Sequence, residues 1–311
     1  MPPVTRVSVP GLGPEDAVIA GDGTVYSAMR NDGRLLCVRP GAGRAEVVAE
    51  CGGRGLGVEL MADGRVLVCN ADLGLQAVNP EGGAVDLLLG EVAGVPFGVC
   101  NNASLARDGT AYVSESSRAY TLTHFRRDIV EDTRTGRLMR WREGGAPEVL
   151  LDGLAFANGV ALSPEEDFVL VAETGKNRLH RVWLTGARAG ASEVFAEVPG
   201  FPDNLSVGGT PGPGGGSLFW CAVPALPAPQ VARVHALPRI MRKAVARVPE
   251  RFGPQAPGCC RVAAYDADGR LVHLLDGDAA TYHHVTGVRE RDGVVWMGSI
   301  FEEALGRFEL G

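Results

Sequence analysis

Four short segments place side-chain oxygens next to apolar runs: Gly13-Pro14-Glu15-Asp16, Cys100-Asn101-Asn102, Phe156-Ala157-Asn158-Gly159 and Phe201-Pro202-Asp203-Asn204. Carboxylates and amides together make an all-oxygen donor set, which suits a hard divalent cation, calcium above all, and not zinc with its taste for nitrogen and sulfur. Asn and Asp also favour turns for purely conformational reasons. That explanation covers any one segment, but four of them at equivalent places in successive repeats point to one shared site. Among residues able to carry a proton, Asp203, His124, His283, His284 and Glu173 stand out by type, although a structural role is the commoner fate of each of the last four.

The elements that must bring these segments together show up as a repeat. Asp22-Gly23-Thr24-Val25-Tyr26-Ser27 runs into Gly33-Arg34-Leu35-Leu36-Cys37-Val38 and then Ala45-Glu46-Val47-Val48. The pattern restarts at Asp63-Gly64, at Asp108-Gly109, at Asp167, at Gly216 and at Asp292-Gly293. Glycine accepts the positive φ of a tight hairpin, and the β-branched and aromatic residues that follow suit a pleated, half-buried surface. Six starts predict six blades, because one small sheet cannot bury both faces and must stack on its neighbours around an axis. The expected fold is all-β: a six-bladed β-propeller occupying residues 1–311 as one domain, with the oxygen-bearing segments just upstream of the inner strands. The last blade is one strand short, and Arg6-Val7-Ser8-Val9 can supply it.

Insertions at 117–135 and 225–258 interrupt the third and fifth blades. Within the second, Arg239 to Arg247 reads as a short helix with Ile240, Met241, Ala244 and Val245 on one face. The spacing fits a lid packed over the channel mouth; a helix lying on a membrane surface is the alternative.

Composition narrows the partners. The 311 residues carry a net charge of −7, which offers no basic field to a nucleic-acid backbone. A small-molecule substrate is expected instead. The start, Met1-Pro2-Pro3-Val4-Thr5-Arg6, lacks the charged and apolar regions of a secretory signal, and no apolar run approaches the ~18 residues of a membrane span. A cytoplasmic location is the expectation. Seven cysteines, an odd number lying mostly in apolar strand-like runs, read as reduced core thiols, and Cys259-Cys260 lacks the spacing of a metal or redox motif.

Phe156-Ala157-Asn158-Gly159-Val160-Ala161-Leu162-Ser163-Pro164, Phe168-Val169-Leu170-Val171-Ala172-Glu173-Thr174 and Pro199-Gly200-Phe201-Pro202-Asp203-Asn204 resemble the strictosidine synthase-like family, especially its adipocyte plasma-membrane-associated branch. More distantly the chain is similar to the paraoxonases and gluconolactonases, six-bladed propellers with a catalytic calcium. This resemblance implies a ligand set of Glu15, Asn101, Asn158, Asp203 and Asn204, with Asn101 chosen over Asn102 by counting back from Asp108-Gly109. It implies a calcium-dependent hydrolase of lactones or related esters in which Asp203 also aligns or deprotonates water. A non-hydrolytic cyclase or condensing enzyme and a non-enzymatic metal-bound scaffold are the alternatives. Thr286 stands where strictosidine synthase has its essential glutamate, and Ala71, after Asn70, stands where paraoxonases have a histidine. Asn102 replaces an acid of the paraoxonases' deeper calcium site, so a second ion beside Asp16 is not expected.

Overall fold

A computed structural model describes residues 1–249, 253 and 256–311. Six four-stranded antiparallel sheets form a six-bladed propeller. The inner strands are Pro14–Ile19, Gly55–Leu60, Cys100–Leu105, Ala157–Leu162, Leu205–Val207 and Val285–Arg291, and each blade continues outward in chain order. The Asp-Gly turns join the inner strand to the second strand. Gly23, Gly64, Gly109 and Gly293 sit at φ of 77–87°, and the carboxylates of Asp22, Asp63 and Asp108 accept the backbone N–H two residues on. Each repeat therefore begins one strand earlier than the turns suggest. The oxygen-bearing segments of the first, third and fourth blades consequently lie within the inner strands, and only Asp203-Asn204 precedes one.

The last blade is closed by Thr5–Ser8, which pairs with Ala304–Glu309 from Thr5 opposite Arg307 to Ser8 opposite Ala304. Val7 and Val9 are buried with Leu305, Ala17 and Met29, and Arg6 reaches Glu302 at 2.7 Å. Removing residues 1–9 would expose a long edge and two valines' worth of core. At about 1.5–3 kcal/mol per buried valine, chemical denaturation should record a loss of roughly 3–6 kcal/mol, with new self-association by light scattering. An unchanged denaturation midpoint would show that the ring does not depend on this strand.

Packing between the fourth and fifth blades is aromatic. Phe168 and Phe219 approach to 5.5 Å between ring centres, with Phe195 and Tyr265 in the same cluster. All seven cysteines are free and buried, as a reduced core requires.

Both insertions leave from the connection between a second and a third strand. Because the inner strand starts at one rim and the second strand returns to it, these connections emerge on the rim where the inner strands begin. The first insertion carries α1 (Phe125–Glu131), and the second carries α2 (Pro229–His235) and α3 (Arg239–Ala246); residues 250–252 and 254–255 of it lie outside those described. The expected helix is thus present one residue shorter, but its orientation corrects the expectation. Ile240 and Met241 are 78% and 49% exposed, whereas Arg242 and Lys243 reach Asp132 and Glu131 beside α1, at 3.0 and 3.7 Å. The helices that roof the channel mouth are α1 and α2, with α3 attached through its charges. Among the described residues no helix is long and apolar enough to cross a membrane.

Candidate metal centre and its cavity

The inner strands break register at one recurring place: between Pro14 and Asp16, Gly55 and Val58, Cys100 and Ala103, Ala157 and Val160, and Val285 and Gly287. The residues left out of the ladder include Glu15, Asn101, Asn102, Asn158 and Thr286. A bulge bends a strand and re-aims its side chains, so a polar residue there leaves the alternation that would send it into a blade interface. Five bulges and the irregular Asp203-Asn204 segment thus form one ring at the start of the inner strands.

Hydrogen bonds stitch this ring together. The Asn204 amide nitrogen lies 3.0 Å from both oxygens of Glu15, and its oxygen accepts from the Asn102 amide at 3.0 Å. Asn102 also donates to Asp16 at 3.3 Å and accepts from the Val160 N–H at 2.9 Å, which makes it the hub tying the third blade to the first, fourth and fifth. Asn101 and Asn158 behave differently. Their amide nitrogens are pinned by Ser116 Oγ at 2.8 Å and Thr174 Oγ1 at 3.2 Å, while their buried oxygens have no hydrogen-bond partner. A buried acceptor without a partner is uncommon, because desolvating it costs about 1–3 kcal/mol.

The carboxylates are equally uncomfortable without a cation. Burial, then the charges of Asp203 and Asp16, push Glu15 well above the usual carboxylate range, with Asn204 and Arg30 opposing. Burial lifts Asp203 to about 7 against the Asn158 hydrogen bond and Arg30. Asp16 rises to about 6 by burial, offset by Arg289. Among the described residues no three His, Cys, Asp or Glu side chains form a metal-holding group, so any cation here must draw on the amides.

A cavity of about 150 Å³ opens over Asn158 and Asp203. Its walls are mostly apolar: Phe125 and Ile129 of α1, Val231 of α2, and Phe156, Phe201 and Phe301 from the propeller. His284 also faces it. The His284 backbone is left-handed at φ 50°, its Nδ1 is buried without a partner, and its ring stands edge-on to Phe301 at 4.7 Å. Burial, reinforced by His283 and Arg126, lowers it to about 4, so it is neutral at neutral pH. Gly258 makes room for this ring, since a Cβ there would sit 2.5 Å from both ring nitrogens.

Of the residues singled out in the sequence, Glu15, Asn158, Asp203 and Asn204 are brought together, and Asn101 sits on the equivalent bulge of the third blade. Two are not. His124 lies in the turn before α1, 6.4 Å from the Tyr120 ring and outside the cavity lining. Glu173 accepts from the Ala155 N–H at 2.9 Å, Arg178 at 2.7 Å and His180 at 2.8 Å. Burial opposes its ionisation, but those bonds pull it down to about 2, leaving a saturated structural carboxylate with no proton to give. Thr286 donates to the Glu15 backbone oxygen at 2.7 Å and so braces the first bulge. Ala71 packs with Leu56, Val99 and Leu122 beneath the lid. The sequence reading missed Ser116 and Thr174, which orient the two amides; each follows a glutamate at the end of a second strand, a shared position that could have marked them.

The strictosidine synthase family model matches residues 101–187. Strictosidine synthase-like protein 10 of Arabidopsis thaliana is 32% identical over 293 residues, covering 91% of this chain and 76% of that protein. The chain belongs to the strictosidine synthase-like family. The adipocyte plasma membrane-associated protein of Rattus norvegicus is another member, 33% identical with 96% of this chain and 83% of that protein covered. Among solved structures, a gluconolactonase from Xanthomonas campestris superposes with a TM-score of 0.71 at 17% identity, over 99% of this chain and 89% of that one. A calcium-binding regucalcin from Agrobacterium tumefaciens gives 0.68 at 16% identity, over 98% and 93%. At those identities the likeness is one of fold, so the chemistry of this strictosidine synthase-like protein has to be argued from its own residues.

Proposed function

We propose that the protein is a calcium-dependent hydrolase of lactones or related esters. The observation that carries this reading is the pair of buried, partnerless amide oxygens on Asn101 and Asn158, set in the same ring as two carboxylates whose ionisation is suppressed by burial. Such a set fits a hard cation, and Glu15, Asn101, Asn158 and Asp203 would hold it, with Asn204 joining through its oxygen after a half-turn of its amide. Calcium held by few carboxylates and several neutral amides would supply residual positive charge to polarise an ester carbonyl.

The remaining work falls to the chain. The phenylalanines and the lid helices exclude bulk water and bind the apolar body of a substrate, leaving the carbonyl to face Asn158 and Asp203. Asp203, half-buried at the cavity floor, aligns the attacking water and accepts its proton. His284 lines the same space as a neutral imidazole and is the residue placed to orient that water as a hydrogen-bond acceptor. With His284→Ala, kcat should fall about 10–100-fold while calcium affinity stays unchanged, measured by steady-state kinetics and calorimetry on one preparation. A kcat within twofold of the parent would remove His284 from the reaction.

The deciding experiment measures calcium content of the purified protein, then hydrolysis of a lactone and ester panel with and without chelator. Bound calcium with chelator-sensitive hydrolysis is the expected result. Calcium without turnover would overturn hydrolysis and favour the condensing reading; turnover indifferent to chelator would overturn the metal.

A further inference from the structure

The outer surface of the lid is chemically unlike the rest of the molecule. Residues 226–249 contain Arg233, Arg239, Arg242, Lys243, Arg247 and His235 and no carboxylate, in a chain of net charge −7. Arg242 and Lys243 are committed to Asp132 and Glu131. Arg233, Arg239 and Arg247 are exposed and form no ion pair among the described residues. The same segment carries Ile240, the most exposed large apolar side chain among the described residues at 78%, with Met241 at 49% and Val248 at 40%.

The helical period makes this arrangement specific. Arg242 and Ala246 are four residues apart on the face of α3 turned to the protein, where Ala246 is buried. Ile240, Met241 and Ala244 fall on the other side and are all exposed. A lid helix whose role ended at the channel mouth would bury its apolar residues and give its charges to water. Here the polarity is reversed: ion pairs fasten the helix inward, and apolar residues point outward beside the exposed Arg247, while Arg239 stands exposed at the N-terminal end of the inward stripe.

We propose that the outer face of α3, with Arg233 and Val248 beside it, docks the protein on an anionic phospholipid surface. Isoleucine, methionine and valine enter the boundary between headgroups and acyl chains, while Arg233, Arg239 and Arg247 meet lipid phosphates and carboxylates. The positive charge of this patch on an otherwise acidic molecule decides for an anionic surface and also fixes the orientation, because the acidic remainder is repelled. Through Arg242 and Lys243 the docked helix holds α1, whose Phe125 and Ile129 wall the cavity, so the cavity mouth lies close to the lipid. None of this rests on the proposed hydrolysis, and the test below reads binding alone.

The full chain is sedimented with vesicles of phosphatidylcholine alone and of phosphatidylcholine mixed with phosphatidylserine, at low and raised salt. Binding is expected to the mixed vesicles only, weakening as salt rises. Two double variants are compared: Ile240→Glu with Met241→Glu, and Arg239→Glu with Arg247→Glu. Each should reduce the bound fraction about tenfold or more, with thermal melting unchanged because the altered side chains are exposed. Absence of binding to mixed vesicles, equal binding to both kinds, or binding untouched by both variants would overturn the proposal. So would self-association of the parent in solution that Ile240→Glu abolishes, since the patch would then be an interface between copies of the chain.

Discussion

Replacing Asp203 with Asn is expected to abolish calcium retention and, in calcium-free protein, to raise stability. The two effects share one cause. Burial holds Asp203 near 7 in the folded chain, against about 3.9 for an unperturbed aspartate. Between those values the folded state binds more protons than the unfolded state, so calcium-free stability falls as pH rises from about 4 to about 7 and stays reduced above it. Asn cannot ionise and removes that penalty. At about 1.4 kcal/mol per unit the gain at pH 8 is on the order of a few kcal/mol, and it should vanish at pH 4. Calcium reverses the order, because a ligand that binds only the folded state stabilises it, and the variant has lost the charge that attracts the ion. Affinity should drop more than about 100-fold, beyond the effect of changing an outer-shell partner. Urea denaturation at pH 4 and pH 8, in chelator and in calcium, measures all four quantities. Undiminished calcium stabilisation of Asp203→Asn would mean that the ring holds no cation through this carboxylate.

Much of the architecture is readable from turns. Asp-Gly followed by β-branched or aromatic residues is a hairpin signal, and its four occurrences together with the strand starts at Asp167 and Gly216 lead to six blades and a missing strand that Arg6 to Ser8 completes. The phase of the repeat is what turns cannot tell. A tight hairpin looks the same between the first and second strands as at the start of a blade, and the inner strands that would have settled it are disguised by their bulges, which break the period-two alternation with Glu15, Asn101-Asn102 and Asn158-Gly159. Those same bulges are the reason the oxygen donors could be picked out. The face of α3 was misread for a different reason. Spacing tells which residues share a face and is silent on which face packs; that was decided by Glu131 and Asp132, more than a hundred residues earlier in the other insertion. Glu173 illustrates a signal overlooked, since its antiparallel partner across the hairpin is Arg178, with His180 two residues on.

Gly159→Ala is expected to be the most damaging single methyl addition near the site. Gly159 occupies the fourth bulge beside Asn158, and its N–H donates to the Asp203 carbonyl at 3.2 Å. A Cβ there would sit 2.5 Å from both the Asn204 carbonyl carbon and the Asp203 oxygen, and would press on the Leu205 backbone as well. Flexible side chains can yield to an added methyl, but these are backbone atoms of the fifth blade. The fourth and fifth inner strands must therefore part, and the parting falls between Asn158 and Asp203. Overpacking of this kind costs about 3 kcal/mol or more where nothing can relax. Gly64→Ala separates that effect from simple instability. Gly64 sits at φ 87° with open space around it, at the far end of its inner strand from the bulge, so Ala costs only the ~1–2 kcal/mol of a left-handed residue. Both variants should therefore melt early, yet only Gly159→Ala should lose calcium binding in titrations run well below its melting temperature. Equal calcium affinity in the two would show that the spacing of the fourth and fifth inner strands does not set the metal centre.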